Sequence, residues 1–136
     1  MSAATPRPGL VSAFKVSCHV TTLFVILQAV LAGLFISGEQ ADAKDQHEVM
    51  SNVIFLAVAV QLVLAFLARR EGRFQLFYWV ALLFVLSVAQ IGLGYGSRED
   101  TLWEAIHIPL GVFIFGLALV ISTLAVLGGR PQEPRV

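Results

Sequence analysis

Four stretches of the chain, at about Val16–Ser37, Val49–Ala68, Phe74–Leu93 and Ile106–Leu127, contain no Lys, Arg, Asp or Glu. A helix rising 1.5 Å per residue needs ~20 residues to cross ~30 Å of hydrocarbon, and each stretch is close to that length. Inside lipid every backbone N–H and C=O must be satisfied within the chain, so runs of this kind are helical despite their glycines and β-branched residues. The runs predict an all-α integral membrane protein, a four-helix bundle running up-down-up-down as two similar helical hairpins. Composition agrees: 57% of residues are hydrophobic and 13% charged, and the mean hydropathy is +0.82. A soluble domain carries roughly 25% charged residues, and disorder requires low hydrophobicity with high net charge. The first run follows Arg7 and Lys15 and ends in the small residues Ser37-Gly38. It is longer than the roughly 7–15-residue core of a secretory signal, and it reads as a span.

The connections set an orientation. Arg7, Lys15, Arg69, Arg70, Arg73, Arg130 and Arg135 lie on one side of the spans, whereas only Lys44 and Arg98 lie on the other, among Glu39, Asp42, Asp45, Glu48, Glu99, Asp100 and Glu104. The positive-inside rule places both termini in the cytoplasm and both acidic loops outside. Basic and acidic residues number nine each, so no charge imbalance points to nucleic acid. Cys18 is the single cysteine, which excludes an internal disulfide and a cysteine-pair zinc site. Gly38, Gly72 and Gly128-Gly129 with Pro131 punctuate the helix ends. The parts are then a tail over 1–15, containing Pro6, Pro8 and Gly9, a membrane domain over 16–127, and a second tail over 128–136. Tyr78, Trp79 and Trp103 fall near span ends, where aromatic rings anchor at the interface.

The two hairpins repeat a pattern. Gln28, Gly33, an acidic outer loop and His47 are matched by Gln90, Gly92 with Gly94, an acidic outer loop and His107; the Gln-to-His spacing is 19 in the first half and 17 in the second. Repeats of like orientation are related by a pseudo-two-fold axis along the membrane normal. The axis puts His47 and His107 at equivalent depth near the outer ends of the second and fourth helices. Two imidazoles on separate helices suit axial ligation of a haem iron, with the macrocycle between the helices. Small residues near the ring edge come from Gly33, Gly92, Gly94 and Gly111, the last being one turn beyond His107. Lys44 and Arg98 are the cations available to haem propionates. A plainer reading makes the histidines interfacial caps and the glycines packing residues, with Gln28 and Gln90 bonding across helices. His47 with Glu48 and Glu104 is also a donor set for zinc or copper. His19 lies near the other end of the bundle and reads as an interfacial or packing residue, as does Cys18.

Leu27-Gln28 with Gly33, Gln46-His47-Glu48, Gln90 with Gly92, and Ile106-His107 together resemble one half of a haem A synthase of the bacterial and mitochondrial type. That family has two four-helix bundles, each with a histidine starting its second helix and another starting its fourth. The resemblance runs from about Thr21 to Leu127 and implies that His47 and His107 are the axial ligands, and hence the metal ligands, of one haem b per chain. The chain has one bundle instead of two and no cysteine pair in an outer loop, so haem A synthesis is not implied. It also resembles small four-helix actinobacterial membrane proteins of unknown function, which implies a bacterial plasma membrane. Two imidazoles leave no open iron position for oxygen. The expected role is therefore electron transfer, with a quinone or a respiratory-chain protein as partner, rather than stand-alone enzyme activity. The alternative is a cofactor-free membrane scaffold or accessory subunit of a larger complex. A homo-oligomeric transport unit is a third reading, and the absence of charge within the spans speaks against an ion path.

Overall fold

The computed structural model describes residues 8–38, 40, 42–69, 74–98 and 100–128. These form four helices: α1 (Pro8–Ser37), α2 (Ala43–Ala68), α3 (Phe74–Gly96) and α4 (Thr101–Leu127). All four are long and apolar enough to cross a membrane.

Each helix begins where capping chemistry lets it, which is often ahead of the apolar run. α1 opens on Pro8, a residue suited to the first helical position because the N–H it lacks would have had no helical partner. Helix therefore occupies half of the stretch expected to be a tail up to residue 15. At its other end Gly38 takes φ +72°, the left-handed conformation that only glycine adopts without strain. α4 starts after Asp100, whose side chain accepts from the Leu102 N–H at 2.9 Å, and Glu104 sits in its first turn. α2 starts after Asp42 with Asp45 in its first turn. Acidic side chains at these positions complement the positive end of the helix dipole. Both helices thus extend beyond their apolar runs, and His47 and His107 lie inside helices. The tight turn containing Gly72 and the segment from Gly129 onward lie outside the described residues, while α4 ends as expected, with the Gly128 N–H bonded to Leu124 O at 3.0 Å.

α1 packs on α2 and α4, and α3 packs on the same two helices. The bundle is therefore square, with neighbours antiparallel and with α2 and α4 diagonally opposed. Phe14, Val58, Val80, Leu83, Ile121 and Ala125 are wholly buried, and all lie in the half of the bundle that carries the chain's two ends, here the terminal half. Small residues at the contacts, among them Ala65, Ala68 and Ala118, let backbones approach closely, which is how helices associate in lipid. The outward faces are apolar, with Val112 68% and Ile36 66% exposed, as suits helices that span a membrane. The far half is packed differently. Among its described residues, α2 from Lys44 to Val53, α3 beyond Ser87 and α4 before Ile114 have no fully buried side chain.

Leu83→Ala is expected to lower stability in detergent by ~2 kcal/mol, the low end for a buried leucine because the loss is contact and cavity more than transfer from water. Val112→Ala should change it by less than ~0.5 kcal/mol. Denaturant titration followed by tryptophan fluorescence checks both.

Candidate functional site

The loosely packed half contains one polar layer, and each helix contributes one residue to it: Gln28 from α1, His47 from α2, Gln90 from α3 and His107 from α4. The two hairpins use the same contact. Gln28 Nε2 donates to the backbone carbonyl of His47 at 3.1 Å, and Gln90 Nε2 donates to the backbone carbonyl of His107 at 2.9 Å. The repeat inferred from spacing recurs in three dimensions as this one amide-to-carbonyl bond in each hairpin. Because α2 and α4 are diagonal, the imidazoles face one another across the bundle axis, with ring centroids 6.4 Å apart and planes inclined by 65°.

Hydrogen bonding occupies one nitrogen of each ring. His107 Nδ1 donates to the Gln90 carbonyl at 3.1 Å, which leaves Nε2 with its lone pair. Gln28 Nε2 lies 3.1 Å from His47 Nε2, and His47 Nδ1 is buried without a partner among the described residues. The side-chain oxygens of Gln28 and Gln90 are in the same condition. A buried polar atom left unpaired costs ~1–3 kcal/mol; three fall in this layer, and Thr21 Oγ1 and Gln61 Oε1 are in the same condition in the terminal half.

The four glycines singled out from the sequence separate into two pairs. A Cβ on Gly94 would stand 3.1 Å from His107 Cε1, and one on Gly111 would stand 3.0 Å from Gln90 Nε2. Gly94 makes room for the ring and Gly111 for the amide that holds it. Gly33 and Gly92 are exposed, and a Cβ on either meets nothing within 4 Å, so neither touches the layer. Arg98 is ion-paired to Glu48 at 2.7 Å and lies over the Tyr95 ring. That pair joins the end of α3 to α2 beside His47 and had no signal in the sequence. Lys44 is exposed in the first turn of α2. His47, Glu48 and Glu104 do not form a metal cluster: among the described residues no three His, Cys, Asp or Glu side chains converge to hold an ion.

Sequence reasoning also passed over Pro109, which sits inside α4 two residues after His107. Proline removes a backbone donor, and a membrane helix tolerates this where neighbouring groups re-satisfy the freed carbonyl. Comparison with protein-family models, with curated proteins and with solved structures gives no match.

Gly94→Ala and Gly111→Ala are expected to destabilise the bundle, the second by about 1 kcal/mol through loss of the Gln90 bond. Gly33→Ala and Gly92→Ala should be neutral or stabilising by up to ~1 kcal/mol, from helix propensity alone. Thermal unfolding of the four variants side by side separates the pairs.

Proposed function

We propose that this protein is a b-type membrane cytochrome that holds one haem per chain between His47 and His107 and carries electrons. The observation that carries the reading is the pair of imidazoles facing across the axis from diagonal helices, with centroids 6.4 Å apart. Two imidazoles sharing one metal through ~2.0 Å nitrogen bonds stand with centroids roughly 6 Å apart. The donor set fits as well. His107 keeps Nε2 with its lone pair, because its Nδ1–H is held by the Gln90 carbonyl; His47 Nε2 accepts from the Gln28 amide and would exchange that bond for the metal.

A haem held by His47 and His107 would supply one-electron iron chemistry. The chain's own residues orient the ligands. The Gln90 carbonyl fixes the His107 tautomer, the usual outer-shell support of a liganding histidine, and the Gln28 and Gln90 amides pin the backbone at both histidines. Lys44 and Arg98 are the cations at that end for the haem carboxylates; Arg98 would exchange Glu48 for them. The charge asymmetry of the connections supports an orientation with both termini cytoplasmic and the site near the outer leaflet, in keeping with a bacterial plasma membrane. A quinone or a respiratory-chain protein is the electron partner.

Protein purified from haem-supplemented cells is expected to contain about one haem b per chain by pyridine haemochrome assay. His47→Ala and His107→Ala should each abolish binding while the bundle stays folded, and Gln90→Ala should weaken it roughly 10-fold. A folded, colourless wild-type protein that also fails to take up added haemin would overturn the proposal in favour of a cofactor-free scaffold.

A further inference from the structure

The two histidines of the polar layer are held in unequal ways, and their hydrogen bonds fix both tautomers. A carbonyl only accepts, so the 3.1 Å contact between His107 Nδ1 and the Gln90 carbonyl puts the His107 ring proton on Nδ1. The Gln28 side-chain atom beside His47 is its nitrogen, because the same atom bonds the His47 carbonyl at 3.1 Å. An amide nitrogen only donates. His47 Nε2, also 3.1 Å from that nitrogen, therefore accepts, and the His47 ring proton sits on Nδ1. Both rings thus offer Nε2 as the coordinating atom, and there the likeness ends. His107 Nδ1–H has a main-chain acceptor, the kind of partner that raises the basicity of a liganding imidazole. His47 Nδ1 is buried without one among the described residues, and its Nε2 lone pair is engaged by Gln28.

We propose that His107 is the fixed ligand of the haem and His47 the exchangeable one, so that a small neutral ligand of ferrous iron, of the carbon monoxide class, takes the place of His47. The proposal rests on the haem reading above. In the exchange the bond between iron and His47 Nε2 breaks and a bond between iron and the carbon of carbon monoxide forms. The lone pair returns to Nε2, with no proton moved and no change of oxidation state. The released ring has a place to go, since Nε2 takes back the Gln28 amide in the position seen here. The matching Gln90 amide bonds the His107 carbonyl and not a ring nitrogen, so no such latch waits for His107. The site then answers to a dissolved gas as well as carrying electrons.

The test uses the full-length protein in detergent, loaded with haem b, reduced with dithionite and carrying isotopically labelled histidine rings. Carbon monoxide is titrated in and followed by absorbance, and the ring nitrogens of the diamagnetic complex are read by NMR. Carbon monoxide is expected to bind with His47 released, its proton on Nδ1, and His107 still on the iron. Gln28→Leu removes the latch and should lower the affinity for carbon monoxide about 5-fold, the worth of one hydrogen bond; if that variant does not fold, the identity of the ring released in the wild type decides alone. Release of His107, failure of the ferrous protein to bind carbon monoxide, or an unchanged affinity in haem-loaded Gln28→Leu would each overturn the proposal while leaving the haem reading intact. A chain that takes up no haem would overturn both.

Discussion

A glutamine amide that donates to the backbone carbonyl of a histidine on the next helix occurs twice in this bundle, once in each hairpin. The far half of the molecule is organised around these two bonds. In lipid, apolar side chains gain little by leaving the bilayer for a neighbouring helix, so packing and interhelical hydrogen bonds decide which faces meet. The terminal half uses packing, with Phe14, Val58, Leu83 and Ile121 closing the axis. The far half lacks buried side chains on α3 beyond Ser87 and on α4 before Ile114, and there the amide bonds tie α1 to α2 and α3 to α4. Because the square arrangement sets α2 and α4 diagonally, the imidazoles meet across the axis with ring centroids 6.4 Å apart.

Both halves hold buried polar atoms without partners among the described residues: an imidazole nitrogen and two amide oxygens in the polar layer, and Thr21 Oγ1 and Gln61 Oε1 in the packed half. Close packing of the terminal half offsets that cost. Gly94 and Gly111 each leave out a methyl group that would crowd the histidine ring or the amide that steadies it.

The four spans, their order and the hairpin repeat were legible in the sequence because each depends on local composition or on spacing. The helix starts were not, because Lys44, Asp45, Gln46 and Glu48 read as a loop when only apolar content is followed; in the folded chain they are the first turns of α2, stabilised by acidic residues near its positive end. The glycines looked alike in one dimension, yet Gly94 and Gly111 face neighbours whereas Gly33 and Gly92 face outward, a distinction set by helix rotation. The Arg98–Glu48 pair and the Ser122–His19 bond join residues far apart in the chain, 103 positions in the second case, and no local pattern announces them. In one dimension His19 reads as a packing or interfacial residue, and its hydrogen-bond partner Ser122 comes from α4.

The central claim is that one iron is held by two imidazoles from diagonal helices. Resonance Raman spectroscopy of the haem-loaded protein, in both oxidation states, tests it most directly, because the spin- and coordination-marker bands report the axial ligands. The account predicts six-coordinate, low-spin haem in the ferric and the ferrous protein alike. Five-coordinate or high-spin haem in either state, or a wild-type spectrum that persists unchanged in His47→Ala or His107→Ala, would contradict it.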